Sequence, residues 1–557
     1  MAYLDKKQKE ALDAGLDAHI PFDLIRSCEQ ETAILHVLRW HAFQCSNALS
    51  ENAELSVQRL DRLRDAVCFC MQWIYEVCKP SGQLPSQLTD PETLQIVYEV
   101  FDAAIRFSGV NDCMNLIWTD WRAVDLQGKT YTLSFEDERM KTLDLVDYLI
   151  GITDPPQPEP AEELLEALSK SANVSIKDTY EIEYDLDSDV VHRIRDEMMA
   201  PRIKWELDPT WDTGHYTFDE FRKFWLALSA YSMMHMTFCG WAEQQGPKWG
   251  DFSFPFNSAI PVMSRESWIT HIAEWSDLDE KVVELIVSDL TLVPELLAPV
   301  AQAGQPKPKR SDVVFQPFVE IGGYLALAVG LVITSNPERN LWDLLSIIRN
   351  AEFSALSSNT EKRWLADIIP WLESKGLKVR RIKVDNGDID CLVCDDSAKF
   401  ALGVQAKHLM ACDRIKAKDV QYIKKGQKQT REGVQWIRDN LQKSAQKCGL
   451  KEDVLKEFQI EPLVLTKTNM LTAYADTDVP ILCERLLQDM MDKQHLSLRD
   501  CWLVAKHELY VPKELPMSES ITHLKFGDVE FVVNNFRCEE GFDCLKHIRI
   551  DELQKHR

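Results

Sequence analysis

The segment Gly387 to Lys407, GDIDCLVCDDSAKFALGVQAK, constrains the fold more than any other stretch of the chain. Two short apolar runs, Ile389 to Cys394 and Phe400 to Ala406, flank the polar residues Asp395-Asp396-Ser397-Ala398. Runs of that length on either side of turn residues predict a β-hairpin. A turn centred near Ser397 sets Asp390 opposite Gln405 and Asp388 opposite Lys407. Successive side chains leave a strand on opposite faces. Asp388, Asp390, Gln405 and Lys407 then share one face, and Ile389, Cys391, Val393, Val404 and Ala406 the other. An Asp on one strand and an amide oxygen on the next are hard donors that suit magnesium or manganese. The Ala406 carbonyl offers a third oxygen. Lys407, on the same face, is placed to orient a water and to stabilise charge in a phosphorane-like transition state.

These residues resemble the PD-(D/E)XK nuclease superfamily, the restriction-endonuclease-like fold. Its pattern is an Asp near the end of one strand, followed on the next strand by Glu or Gln, any residue, and Lys. Gly387-Asp388-Ile389-Asp390 matches the first part, and Gln405-Ala406-Lys407 matches the second in the glutamine variant of Mrr-like members. The resemblance implies Asp390, Gln405, Asp388 and the Ala406 carbonyl as metal-holding groups for Mg2+ or Mn2+, and Asp390, Gln405, Lys407 and Glu361 as catalytic groups. Glu361 is the candidate for the acidic residue that members carry on the helix before the hairpin. Thr360 or Asn359 would cap that helix. Trp364, Leu365, Ile368, Ile369 and Leu372 follow helical spacing, Pro370 predicts a kink, and Gly376 a stop. Leu377 to Val384 reads as the first strand. The neutral Gln405 lowers the negative charge of the site, and Asp388 compensates.

Net charge bears on the substrate. The chain as a whole carries −26, yet Lys378 to Lys447 holds 16 Lys and Arg against 9 Asp and Glu. A basic island around the candidate site of an acidic protein is what binding a phosphate backbone requires. Asp419 to Lys447 reads as a long helix with Ile423, Val434, Ile437 and Leu441 inward, although Gly426 and Gly433 weaken its continuity. Lys424, Lys425, Lys428, Gln429 and Arg431 on this helix are the nucleic-acid-binding candidates. The resemblance implies that Lys428 or Gln429 meets phosphate.

At 557 residues the chain is long enough for two to four domains. Residues 1–152 read as a helical domain, with Trp40, Trp73, Trp118 and Trp121 as core. The Pro-rich run Pro155 to Pro160 separates it from a second helical domain, 161–301. After the break Gln302 to Arg310, residues 313–350 read as a β-hairpin and helix that connect to a nuclease-like domain, 351–557. The apolar run Ile321 to Thr334 is too short for a bilayer and contains three glycines, so a buried hairpin turning at Gly322-Gly323 is expected instead. Strands are expected at Glu461 to Thr466, Trp502 to Val504 and His523 to Val533, and a helix over Val479 to Met491. Cys391 and Cys394 form a CxxC with no partner pair, on opposite strand faces, and zinc is not expected there. Fifteen scattered cysteines, an N-terminal segment without an apolar core and no membrane span point to a cytoplasmic protein with reduced thiols.

The expected fold is multi-domain α plus α/β, a large helical N-terminal region followed by a restriction-endonuclease-like α/β/α core with a mixed sheet. The expected activity is metal-dependent hydrolysis of nucleic-acid phosphodiesters, with DNA ahead of RNA as substrate. The helical region is expected to bind a protein partner or sense a trigger, an architecture similar to bacterial defence and restriction effectors. The competing expectation is a nuclease-like fold without catalysis that serves as a nucleic-acid-binding or scaffold module.

Overall fold

The computed structural model describes residues 3–49, 53–86, 91–151, 173–177, 181–185, 188–203, 205–245, 255–297, 311–385, 387–408, 417–538 and 543–557. The Pro-rich run 155–160 and the break at 302–310 lie outside the described residues. Two bodies of secondary structure emerge, one mainly helical and one α/β.

The helical body is built on four long helices, Gln30–Leu49, Ala53–Val77, Pro91–Trp118 and Phe218–Gln245. Their apolar faces share one core with Ile34, Leu38, Trp73, Phe101, Phe221 and Trp225 at its centre. The hairpin expected at 313–334 is present but shorter. Phe318–Ile321 pairs antiparallel with Tyr324–Leu327 around Gly322-Gly323, and both glycines take positive φ that a side chain would resist. Val329–Thr334 then continues as a helix. Helical burial satisfies the backbone of an all-apolar run as well as a strand does, and periodicity alone does not separate the two. This segment belongs to the core of the helical body, with Val313 to Leu345 contributing throughout.

The region read as wholly helical, 1–152, also contains strands. Ala123–Gln127 and Thr130–Ser134 form a hairpin, and Val529–Cys538 pairs parallel to Thr130–Ser134 with Met517–Phe526 beyond it. The expected boundaries at 152 and 351 are therefore crossed twice. The late hairpin joins the early sheet, and the early helix Glu138–Gly151 gives Leu143, Val146 and Ile150 to the core of the α/β body. The segment expected as a strand at 502–504 lies inside the helix Leu498–Lys506. Ser497 and Asp500 start that helix with a reciprocal capping box. The segment 479–491 divides into a strand, Ile481–Cys483, and a helix, Glu484–Asp492.

The α/β body holds a five-stranded mixed sheet in the order Ile481–Cys483, Gln459–Thr466, Phe400–Lys407, Cys391–Asp395, Lys378–Arg380. Among the last three each strand is antiparallel to its neighbour, and the first three are mutually parallel. The central strand Phe400–Lys407 is buried along its whole length, because helices cover both faces. One face presents Cys391, Val393, Leu402 and Val404 to Leu365 and Leu372 of the long helix Asn350–Ser374 and to Leu487 and Leu498. The other presents Leu392, Cys394 and Ala401 to Val434 and Ile437 of the helix Ala417–Asp439. The long helix starts a full turn and more before Asn359 and Thr360, so neither caps it. The Thr360 hydroxyl instead donates to the Leu356 carbonyl.

Glycines govern how near the Ala417–Asp439 helix lies to this sheet. A Cβ on Gly403 would stand 2.4 Å from Val434, and one on Gly433 would stand 3.0 Å from Ile389. Gly387 is the tightest point. Its φ is +75°, and a Cβ there would come within 2.3 Å of the Gly433 nitrogen and 2.6 Å of the Gln429 carbonyl. Gly387→Ala is expected to cost about 2–5 kcal/mol, from the left-handed backbone together with the backbone clash. Urea unfolding of the two proteins measures it, and a loss below about 1 kcal/mol would contradict this close approach.

Candidate functional site

The hairpin folds in the expected register. Phe400 pairs with Asp395 and Val404 with Cys391, and the ladder extends through the Asp390 N–H, which donates to the Val404 carbonyl at 2.8 Å. That register sets Asp390 beside Gln405. The Gln405 Nε2 and the Ala406 N–H both donate to Asp390 Oδ2, at 2.8 and 2.7 Å. Cys391 and Cys394 point into different cores, on opposite faces of the strand.

Burial dominates the electrostatics of Asp390. It pushes the carboxyl up to about 6 from its ordinary 3.8, with Glu361 and Asp388 adding in the same direction. The Ala406 N–H and the Lys407 charge oppose the rise without cancelling it. The Gln405 side chain is 2 % exposed, and its Oε1 is buried without a hydrogen-bond partner. An orphaned buried acceptor costs about 1–3 kcal/mol. A half-buried carboxylate with an orphaned buried amide oxygen beside it forms a hard-oxygen donor set of the kind that suits a divalent cation. Among the described residues, no group of three or more His, Cys, Asp and Glu side chains gathers at metal-holding distance. The fit therefore depends on the amide and main-chain oxygens as well as on carboxylates.

Lys407 lies on the same sheet face as Asp390 and is 4 % exposed. Its Nζ donates to Glu361 Oε1 at 3.3 Å, and the Tyr422 hydroxyl donates to the same oxygen. The Nζ also stands 4.6 Å from the centroid of the Tyr422 ring. Glu361 thus reaches Lys407 from its helix. Asp388 is exposed, and its N–H donates to the Gln429 carbonyl at 3.1 Å.

The nucleic-acid-binding candidates divide into three environments. Lys424, Lys425 and Lys428 are exposed, the last at 4.0 Å from Glu432. Arg431 is engaged by Asp478 at 2.7 Å and by Asp476 at 3.4 Å. Gln429 is half-buried, with its side-chain oxygen unpartnered.

Sequence reading singles out neither Tyr422 nor the contact made by Gly426. The signal is present in the helical spacing, since Tyr422 and Gly426 lie one turn apart on the face that Gly433 continues. What it lacks is any local sign of which strand that face meets. No helix among the described residues is long and apolar enough to cross a membrane. No family model, no curated protein and no solved structure matches the chain.

In EDTA, a carboxyl raised by burial makes the folded state bind protons more tightly than the unfolded chain. Stability should then fall as pH rises from about 4 to 6 and stay reduced above that. Asp390→Asn keeps an acceptor for both N–H groups and removes the ionisation. It is expected to stabilise the metal-free protein by about 1–3 kcal/mol at pH 8, with the gain gone below about pH 4. Unfolding midpoints across that range check it, and a gain that does not vary with pH contradicts the buried-carboxylate account.

Proposed function

We propose that the α/β body is a metal-dependent nuclease acting on nucleic acid, with DNA as the substrate, on a PD-(D/E)XK-type core. The observation that carries this reading is the convergence of Asp390, Gln405, Lys407 and Glu361 at one end of two neighbouring strands and a flanking helix. The order of helix, three antiparallel strands, helix and parallel strand agrees with it.

In this reading the Asp390 carboxylate, the Gln405 amide oxygen and the Ala406 carbonyl would hold Mg2+ or Mn2+, with Asp388 nearby. The bound cation supplies Lewis-acid polarisation and a more acidic water. The chain supplies the rest. Lys407, an ammonium almost sealed from solvent, donates to the scissile phosphate oxygen or to the attacking water. Glu361 holds that ammonium in place. Lys424, Lys425 and Lys428 contact the backbone on either side of the cleaved bond. The helical body serves as the platform for a partner or trigger.

A second reading, a nuclease-like binding module without catalysis, draws on one feature. Gln405 is neutral, and its amide nitrogen donates to Asp390.

Three substitutions separate the readings. Asp390→Ala should abolish both Mn2+ binding and cleavage with the fold intact. Lys407→Ala should retain Mn2+ binding while turnover falls by about 100- to 1,000-fold. Gln405→Glu should tighten Mg2+ binding, with cleavage equal or faster. Calorimetric metal titration and plasmid cleavage measure all three, and a protein whose cleavage and metal affinity ignore every one of them is not this nuclease. Protons compete for Asp390, so cation affinity should weaken as pH falls below about 6.

Replacing Lys424, Lys425 and Lys428 together by Glu should weaken DNA binding and flatten the slope of log K against log salt by about 2 to 3. Fluorescence anisotropy at several salt concentrations reads that slope. An unchanged slope moves the interface to another surface.

A further inference from the structure

Lys407 is enclosed on three sides, and two of the enclosing groups come from one turn of the Ala417–Asp439 helix. Gly426 lies along the lysine stem, where a Cβ would meet Lys407 Cε at 3.0 Å and Cγ at 3.3 Å. Tyr422, one turn earlier, covers the ammonium with its ring at 4.6 Å and donates its hydroxyl to Glu361 Oε1. That oxygen is also the one that receives the lysine, at 3.3 Å. Glu361 Oε1 therefore carries two donors, one cationic and one neutral, on a half-buried carboxylate beside an ammonium almost sealed from solvent.

We propose that Tyr422 is a positioning residue that forms, with Glu361, a clamp fixing the Lys407 ammonium, so that Glu361 serves the lysine and takes no part in holding a cation. A cation on the same carboxylate oxygen would stand against the ammonium, and like charges in a water-poor site repel strongly. The carboxylates of the site thus divide their work, Asp390 to the cation and Glu361 to the lysine. The clamp itself is a statement about Lys407 alone. Only its effect on turnover rests on the nuclease reading.

The test uses the full chain with Tyr422→Phe, which keeps the ring and removes the hydroxyl, and Tyr422→Leu, which removes both. Thermal unfolding confirms the fold of each, and Tyr422→Phe decides should Tyr422→Leu fail to fold. Reductive methylation of the native proteins in EDTA, read residue by residue by mass spectrometry, reports the freedom of each lysine. Lys407 should react several-fold faster in Tyr422→Phe than in wild type and faster again in Tyr422→Leu, with exposed Lys424 unchanged. In cleavage assays Tyr422→Phe should lower kcat by about 10- to 100-fold and leave KM and Mn2+ affinity within about twofold. Glu361→Gln should likewise leave Mn2+ affinity within about twofold, against its loss in Asp390→Ala. An unchanged Lys407 labelling rate in folded Tyr422→Phe overturns the clamp, whether or not the wild type cleaves DNA. Loss of Mn2+ affinity in Glu361→Gln overturns the division of the carboxylates. A wild type that cleaves nothing while Lys407 labelling responds as stated removes the nuclease reading and leaves the clamp standing.

Discussion

The near contact between one helix and one sheet face underlies the whole α/β body. Ala417–Asp439 lies close enough to the strand Phe400–Lys407 that Gly403, Gly426, Gly433 and Gly387 each occupy space in which a side chain would collide or press. Glycine within a helix costs about 1 kcal/mol relative to alanine, so two of them on one helix weaken it as an isolated element. The return is the approach itself. With the helix that near, Val434 and Ile437 close the core on the outer strands, and Lys407 is left almost without water.

A buried charge must be matched or neutralised, and the two carboxylates nearest Lys407 respond differently. Glu361 meets its charge directly with the lysine ammonium and the tyrosine hydroxyl. Asp390 has only N–H donors, two of them on one oxygen, and burial pushes it toward the protonated form. Removing either partner of the Lys407–Glu361 pair strands the other in a poor solvent. The pair is thus costly to break even though it adds little net stability over an apolar replacement. This asymmetry is why the lysine pairs with Glu361 and leaves Asp390 to its N–H donors.

The sequence carries what is decided locally. The hairpin register is legible because a period of two, a polar turn and an apolar back agree with one another, and Asp390 falls beside Gln405 as that pattern demands. Glu361 is legible as an acidic residue on a helical face, though the helix begins well before the residues that resemble a cap. Gly426 and Gly433 show their price in the sequence, as breaks in helical propensity, while their benefit depends on Lys407 and Ile389, far enough back along the chain to be invisible there. The same asymmetry weakens the sign of Thr130–Ser134, since its second neighbour, Val529–Cys538, lies far along the chain. Trp502 to Val504 looks like a strand by composition, and the capping box at Ser497 and Asp500 outweighs that look.

That distant pairing has a consequence for how the chain acquires its shape. Thr130 Oγ1 bonds to Glu530 across a sequence separation of 400 residues, and the strand Thr130–Ser134 has Val529–Cys538 as its neighbour. As a ribosome delivers the chain, the early hairpin emerges with one edge open and stays so through synthesis of nearly the whole α/β body. An unpaired edge is a template for unwanted pairing. The helical body therefore reaches its finished form only after most of the α/β body has been made. The two parts are coupled in time by a strand, whatever each does on its own.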